Sequence, residues 1–141
     1  MTKMLKRNSF ALAAVLAAAT VACAAREEKH VDQANAEEVA QDNEALDQLR
    51  SAGSNLTKPH QIEFYLYLPS EADAEAAKAV LRPMGYSVTV RVGANNINWL
   101  CLASRTMMPT IQELSEARGV FKRLALSYRG AYGGWEAAIE R

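Results

Sequence analysis

Apolar and polar residues alternate in three segments of the second half of the chain. The segment "HQIEFYLYLP" at 60–69 places apolar residues at every second position, which is the period of a strand with one buried face. "YSVTVRV" at 86–92 alternates in the same way, and the turn residues "GANN" at 93–96 connect it to "INWLCLAS" at 97–104. The pattern therefore predicts three strands, of which the second and third form a hairpin.

Two segments with helical spacing of apolar residues lie between and after these strands. The first, at 71–82, begins after Ser70 with an acidic residue three positions on, which is a capping pattern. The second, at 109–128, begins with "PTIQE", where Thr110 and Glu113 repeat that pattern. The order is strand, helix, strand, strand, helix and a Gly-rich tail. This order predicts the α+β class: a ferredoxin-like split βαββα(β) sandwich whose antiparallel sheet carries the helices on one face.

The start of the chain, at 1–23, has the pattern of a secretory signal peptide: a basic head, an apolar run at 10–21 and small residues at its end. That run is shorter than the ~20 residues that a membrane-spanning helix needs. Ordinary processing at "ACA" would cut before Ala25, whereas "TVAC" resembles a bacterial lipobox that would make Cys23 the lipidated N-terminus, with Thr20 where Leu is usual. Either interpretation predicts export, to the periplasm or to the membrane as an anchored lipoprotein. An unprocessed leader would leave the protein in the cytoplasm.

The next segment, at 24–58, is acidic, with eight acidic and four basic residues and few large apolar ones. Val39, Leu46 and Leu49 form a thin apolar stripe at helical spacing. The stripe is consistent with a helix that packs on the domain and equally with a solvated stalk. We therefore expect an acidic linker or loose helix at 24–58 and the globular domain at 59–141.

The charge balance argues against nucleic acid as a direct ligand. The chain has 16 basic and 16 acidic residues, and removal of residues 1–22 leaves 13 basic and 16 acidic ones. Binding to phosphates depends on clustered Lys and Arg, which this distribution does not supply.

No group of residues has the spacing of a catalytic or metal site. His30 and His60 have no Cys or acidic residue at ligand spacing. Cys101 lies among apolar neighbours in a predicted strand, where a thiol usually packs as a small hydrophobe. If Cys23 carries lipid, Cys101 has no disulfide partner, whereas two free thiols would allow one bridge. We expect neither an enzyme nor a cofactor or metal site.

The tail "YRGAYGGWEAAIER" at 128–141 has two interpretations. In the structural one, Gly130 ends the long helix as its C′ residue, Gly133-Gly134 form a tight turn, and Trp135 folds back as a lid on the sheet. In the interaction one, Arg129, Tyr132 and Trp135 bind a partner, because these residue types are enriched where binding energy concentrates.

The tail and two earlier segments resemble one known family. "LALSYRGAYGGWE", preceded by "LRPMGYSVTV" and "NWLCLAS", is similar to the family of regulators of ribonuclease E activity B (RraB), and the resemblance covers 59–141. That family has a segment Gly-x-Tyr-Asp-Gly-Trp-Glu after a helix. The Asp is replaced by Gly133, while Trp99 matches the strand tryptophan and Gly85-Tyr86 the entry to the second strand. The tail positions that match are Gly130, Tyr132, Gly134, Trp135 and Glu136.

The resemblance implies a small non-catalytic domain of ferredoxin-like fold that binds a ribonuclease and lowers its activity by protein contact. We place its interaction surface on Arg129, Tyr132, Trp135 and Glu136, with Trp99 beneath them. Ribonuclease E works in the cytoplasm, so an exported domain would meet a different protein partner. Two alternatives accompany that hypothesis: a cytoplasmic inhibitor of ribonuclease E with an uncleaved leader, and an envelope lipoprotein with a structural role.

Overall fold

The computed structural model describes residues 33–141. The compact unit comprises Asp42–Arg141, and the described residues that precede it, 33–41, are helical. The signal peptide and lipobox predicted at 1–23 lie outside the described residues. None of the described helices has the length and apolar character needed to cross a membrane.

The compact unit is built on a four-stranded sheet in the order β2-β3-β1-β4, with every neighbouring pair antiparallel. The described elements are α1 (33–51), β1 (His60–Leu68), α2 (Glu71–Leu81), a 3₁₀ turn (Arg82–Met84), β2 (Ser87–Val92), β3 (Trp99–Met107), α3 (Ile111–Ser127) and β4 (Ala131–Ala137). The α+β class, the three strands with their hairpin, and both predicted helices are confirmed. The tail forms a fourth strand at the edge of the sheet.

The alternation of β1 decides which face of the sheet is packed. Ile62, Phe64, Leu66 and Leu68 are fully buried, and the residues between them are more exposed. α2 packs against β2 and β3, while α3 packs against β4 and β1. Phe64 stacks on Phe121 of α3 with ring centroids 4.8 Å apart. The helices therefore bury one face of the sheet, and the hydrophobic effect of that burial is the main stabilising term.

Both predicted capping patterns form at the helix starts. The Ser70 hydroxyl accepts a hydrogen bond from the Asp73 backbone N–H at 3.1 Å, and the Thr110 hydroxyl accepts one from the Glu113 N–H at 3.3 Å. Each bond satisfies a backbone donor that the first turn of a helix leaves without an intrahelical partner.

The end of α3 differs from the prediction that Gly130 is the C′ residue. The helix is capped at Tyr128, and the next residue, Arg129, adopts the left-handed conformation with φ 55°. Gly130 follows as C″, and its N–H donates to the Ala125 carbonyl at 2.8 Å, as in a Schellman motif. Glycine is required there because a Cβ would collide with the Tyr67 carbonyl oxygen.

The prediction of a tight turn at Gly133-Gly134 is wrong, because both residues lie inside β4. Trp135 pairs with Phe64 and Tyr132 pairs with Leu66, so β4 has one more residue than β1 over the same stretch. The extra residue forms a β-bulge, in which Gly134 has φ +98°. The bulge keeps Tyr132 and Trp135 on the same face although they are three positions apart.

The compact unit begins further toward the N-terminus than the boundary expected at Pro59. Leu46, in the segment expected as a linker, is 6% exposed and belongs to the core cluster, and Leu49 packs against that cluster. The loop that follows is tied to the end of the chain, since the Asn55 N–H donates to the Glu140 carbonyl at 2.5 Å. The apolar stripe on α1 is therefore a packing surface at Leu46 and Leu49.

We expect Gly134→Ala to destabilise the domain by about 1–2 kcal/mol, because an L-residue is strained at positive φ. A Cβ at Gly134 meets no atom of the described chain within 4 Å, so the loss isolates backbone strain. The matched control is Gly119→Ala in α3, where a Cβ approaches only the Arg123 guanidinium at 3.6 Å. It should stabilise the domain by about 0.5–1 kcal/mol. Urea unfolding followed by far-UV circular dichroism measures both, and equal signs would contradict the assignment of the bulge.

Candidate protein-interaction surface

The tail residues predicted to bind a partner lie on different faces of the domain. Tyr132 and Trp135 pair with Leu66 and Phe64, so their side chains share the helix-covered face of the sheet. Glu136 pairs with Glu63 on the opposite face and is exposed. Arg129 is exposed in the left-handed turn between α3 and β4. The structure therefore does not bring these four residues together into one surface.

Trp99 lies apart from the tail residues. It begins β3 and pairs with Leu68 at one end of β1, whereas Trp135 pairs with Phe64 from the other side of β1. Trp99 is half-buried and packs against the core cluster. It is not beneath Trp135, since β1 separates the strands that carry the two tryptophans.

Trp135 takes part in a buried polar network. Its indole N–H donates to Asp42 Oδ1 at 2.9 Å, and the other carboxylate oxygen of Asp42 accepts from the Arg118 guanidinium. Asp42 is 8% exposed and Arg118 is 5% exposed. The network joins α1, α3 and β4 through one carboxylate. This geometry supplies the acceptor that the half-buried Trp135 indole needs, as the structural interpretation of the tail required.

Asp42 was missed by the sequence analysis because it lies in the acidic segment expected as a linker. One signal could have indicated it: Asp42, Leu46 and Leu49 follow helical spacing, so the carboxylate lies on the apolar stripe. An acidic residue on such a stripe needs a buried partner, because an unpaired charge in the core is costly. The partner, Arg118, likewise lies on the buried face of α3.

Tyr132 completes the aromatic part of the core. Its ring stacks on that of Phe121 with centroids 6.0 Å apart, and Phe121 in turn stacks on Phe64. Tyr86 packs edge-on against Phe121 at 5.4 Å. Tyr132 therefore contributes to packing between β4 and α3.

The other side of the sheet, which we call the open face, carries the intervening residues of each strand. On β1 they include two half-buried tyrosines, which lie beside apolar residues of β3. The residues of the open face are Gln61, Glu63, Tyr65, Tyr67, Ser87, Thr89, Arg91, Leu100, Leu102, Ser104, Thr106, Ala131, Gly133 and Glu136. This face is continuous across the four strands.

The centre of the open face is apolar and close-packed. Leu100 is only 5% exposed, and its cross-strand neighbours are Tyr67 on β1 and Arg91 on β2. A Cβ at Gly133 would lie 2.6 Å from Cε2 of Tyr67, so the Tyr67 ring already fills the space beside β4. This is the position where the family resemblance implies Asp. In this chain, glycine at 133 leaves room for the Tyr67 ring beside β4.

The β1–β4 side of the open face is acidic. Glu63 and Glu136 are directly opposite each other, and the Tyr65 hydroxyl donates to Glu136 Oε2 at 3.1 Å. Burial raises the pKa of the Tyr65 hydroxyl above its ordinary value, and the hydrogen bond and negative charge of Glu136 raise it further. An open cleft of about 280 Å³ lies beside the pair, lined by Gln61, Glu63, Glu136, Ala137 and Ala138.

The residues with catalytic potential are engaged in packing. Cys101 is fully buried, and this burial raises the pKa of its thiol to about 11. The reactive thiolate is therefore a minor form at neutral pH. His60 is also buried: its Nδ1 lies 2.8 Å from the Lys58 carbonyl and its Nε2 lies 2.6 Å from the Ser54 hydroxyl. Within 33–141 no three His, Cys, Asp or Glu residues are grouped to hold a metal ion.

The fold and the open face define a small α+β domain with one packed and one accessible sheet face. The sequence profile of the family "Regulator of ribonuclease activity B" matches residues 39–137, and the chain belongs to this family. The matched region therefore includes all three residues of the polar network, Asp42, Arg118 and Trp135. Members of the family are described as regulators. No curated protein matches the chain.

We expect Asp42→Ala to cost about 3–5 kcal/mol of the free energy of unfolding, because it removes the buried carboxylate that accepts hydrogen bonds from Arg118 and Trp135. The control is Asp47→Ala on the same helix, where an exposed pair with Arg50 is lost. That change should cost about 0.5 kcal/mol or less. Urea unfolding followed by far-UV circular dichroism gives both values. Similar losses for the two variants would contradict a structural role for Asp42.

We expect Glu136→Gln to lower the pKa of Tyr65, because it removes a negative charge that disfavours the phenolate. Titration of absorbance at 295 nm from neutral to alkaline pH measures the shift, and the difference spectrum against Tyr65→Phe assigns it among the five tyrosines. Glu44→Gln, on the exposed side of α1, is the control with the same charge change and should leave this pKa unaltered. An unchanged Tyr65 pKa in Glu136→Gln would refute the contact.

Proposed function

We propose that the compact unit is a non-catalytic regulatory domain that binds a ribonuclease and lowers its activity by direct protein contact. The observation that carries this proposal is the family match over 39–137, which spans nearly all of the compact unit from Asp42. The engagement of Cys101 and His60 in the core agrees with a domain that acts by binding.

The order β2-β3-β1-β4, with the helices packed on one face, supports the ferredoxin-like arrangement expected for such a domain. In this arrangement the second sheet face is available to a partner. The open face carries Tyr65, Tyr67 and Leu102 in partly exposed positions, together with Arg91. Tyrosine and arginine are enriched at protein interfaces, where they supply both apolar area and hydrogen bonds.

The proposed partner-binding residues differ in their exposure to solvent and form two groups. Glu136 and Arg129 are exposed and are the ones positioned to contact a partner directly. The other group is half-buried and packs against the core cluster, so we assign it a structural role in stabilising the sheet. Its members are Trp99, Tyr132 and Trp135. Alanine at Trp135 would then lower stability first and partner binding only as a consequence.

A second candidate follows from the leader predicted at 1–23. If this segment directs export or lipidation at Cys23, the domain meets a protein other than ribonuclease E, or contributes to the envelope as a lipoprotein. The intact mass of the native protein in soluble and membrane fractions tests this proposal. A membrane species that begins at Cys23 with added acyl mass would support it, and a soluble species that retains residues 1–22 would contradict it.

The proposed function is tested by adding the purified protein to ribonuclease E and measuring cleavage of a fluorogenic RNA substrate. We expect the initial rate to fall as the protein is titrated, with a complex visible by size-exclusion chromatography. Bovine pancreatic ribonuclease is the control enzyme and should be unaffected, which separates contact with the enzyme from sequestration of the RNA. An unchanged rate and no complex at excess protein would overturn a ribonuclease as the partner.

A further inference from the structure

We propose that the open face docks a basic segment of the partner protein, whose Arg or Lys side chain enters the cleft lined by Glu63 and Glu136. The inference rests on the proposed function in one respect: the partner is a protein. It goes further by naming the face of the domain that binds and the charge of the segment that is bound.

Glu63 and Glu136 lie directly opposite each other on β1 and β4. Like charges directly opposite each other on paired strands are destabilising, so this pair raises the free energy of the isolated domain. Within the described chain, no Lys or Arg forms an ion pair with either carboxylate. A cationic side chain from outside would replace this repulsion with attraction to both residues.

The cleft beside this pair of glutamates has a size and lining suited to a cationic side chain. Its volume of about 280 Å³ is bounded by the two glutamates, by Gln61 and by the small residues Ala137 and Ala138. Such a lining offers carboxylates to a guanidinium or ammonium group and apolar walls to its methylene stem. The Tyr65 hydroxyl fixes one side of the site, because its hydrogen bond holds the Glu136 carboxylate in place.

The surface next to the cleft carries aromatic and apolar side chains. Tyr65 and Tyr67 lie along β1 with half-buried rings, and Leu102 lies opposite Tyr65 on β3. An extended segment anchored by its cation in the cleft would cross these side chains, gaining apolar contact and cation–π attraction. Nucleic acid is disfavoured as the occupant because its phosphates would meet the two carboxylates.

The probe for this proposal is a fluorescein-labelled nonapeptide of alternating Arg and Ala, titrated with the full chain and followed by fluorescence anisotropy. We expect saturable binding that weakens as salt is raised. The double variant Glu63→Gln/Glu136→Gln should weaken it by about tenfold, the loss of two partly exposed charge contacts. The Tm of this variant should be no lower than that of the wild type, because the substitutions remove the repulsion between the two carboxylates.

The matched control is Glu44→Gln/Glu116→Gln, which makes the same change in net charge at exposed positions of α1 and α3. It should bind the peptide within about twofold of the wild type. Equal losses in the two double variants would show a general charge effect and overturn the proposal. So would absence of binding, equal binding of a peptide with Gln in place of Arg, or tighter binding of a labelled single-stranded RNA.

The ribonuclease assay separates this proposal from the proposed function. Inhibition of ribonuclease E by the wild type, undiminished in Glu63→Gln/Glu136→Gln, would overturn the docking site and leave the function standing. Charge-specific binding of the Arg peptide without inhibition of ribonuclease E would overturn the function and leave the docking site standing.

Discussion

The buried contact of Asp42 with Arg118 and Trp135 is the interaction on which the rest of the compact unit depends. One carboxylate receives hydrogen bonds from α3 and from the edge strand β4, and it reaches both from α1. Loss of the Asp42 carboxylate would remove a hydrogen-bond acceptor from the buried Arg118 guanidinium and from the half-buried Trp135 indole N–H. The contact therefore connects Asp42 to α3 and to the edge strand β4.

The register of β4 against β1 produces the two different faces of the sheet. The bulge at Gly133-Gly134 turns Trp135 and Tyr132 toward α3 and leaves Glu136 on the side of Glu63. On the packed face, the rings of Phe64, Tyr86 and Tyr132 pack around Phe121 of α3. The open face has opposed acids, tyrosine rings and a cleft. We propose that the partner binds this open face, which the packing of the helices leaves accessible, and family membership makes a ribonuclease the first partner to test.

Local patterns predicted most of the fold. Alternation located β1, β2 and β3, and hydroxyl residues at Ser70 and Thr110 located both helix starts, because each signal depends on neighbours within a few positions. The conformation of the tail was predicted wrongly, since a pair of glycines is compatible with a tight turn and with a β-bulge. Only pairing with β1 across the sheet distinguishes them. Asp42 was missed for the same reason: its partners are distant in sequence, and its surroundings have the composition of a linker. The interaction surface predicted from the tail combined Trp135 and Glu136, which β4 places on opposite faces of the sheet.

We propose that the partner binds the open face and leaves the helix side free. Site-specific photo-crosslinking to ribonuclease E tests this claim, with a benzophenone side chain placed at Thr89 on the open face or at Leu126 on α3, where the native side chain is 82% exposed. Crosslinks from position 89 with none from position 126 are the predicted result. Crosslinks from position 126 alone would contradict the account and move the interface to the helices.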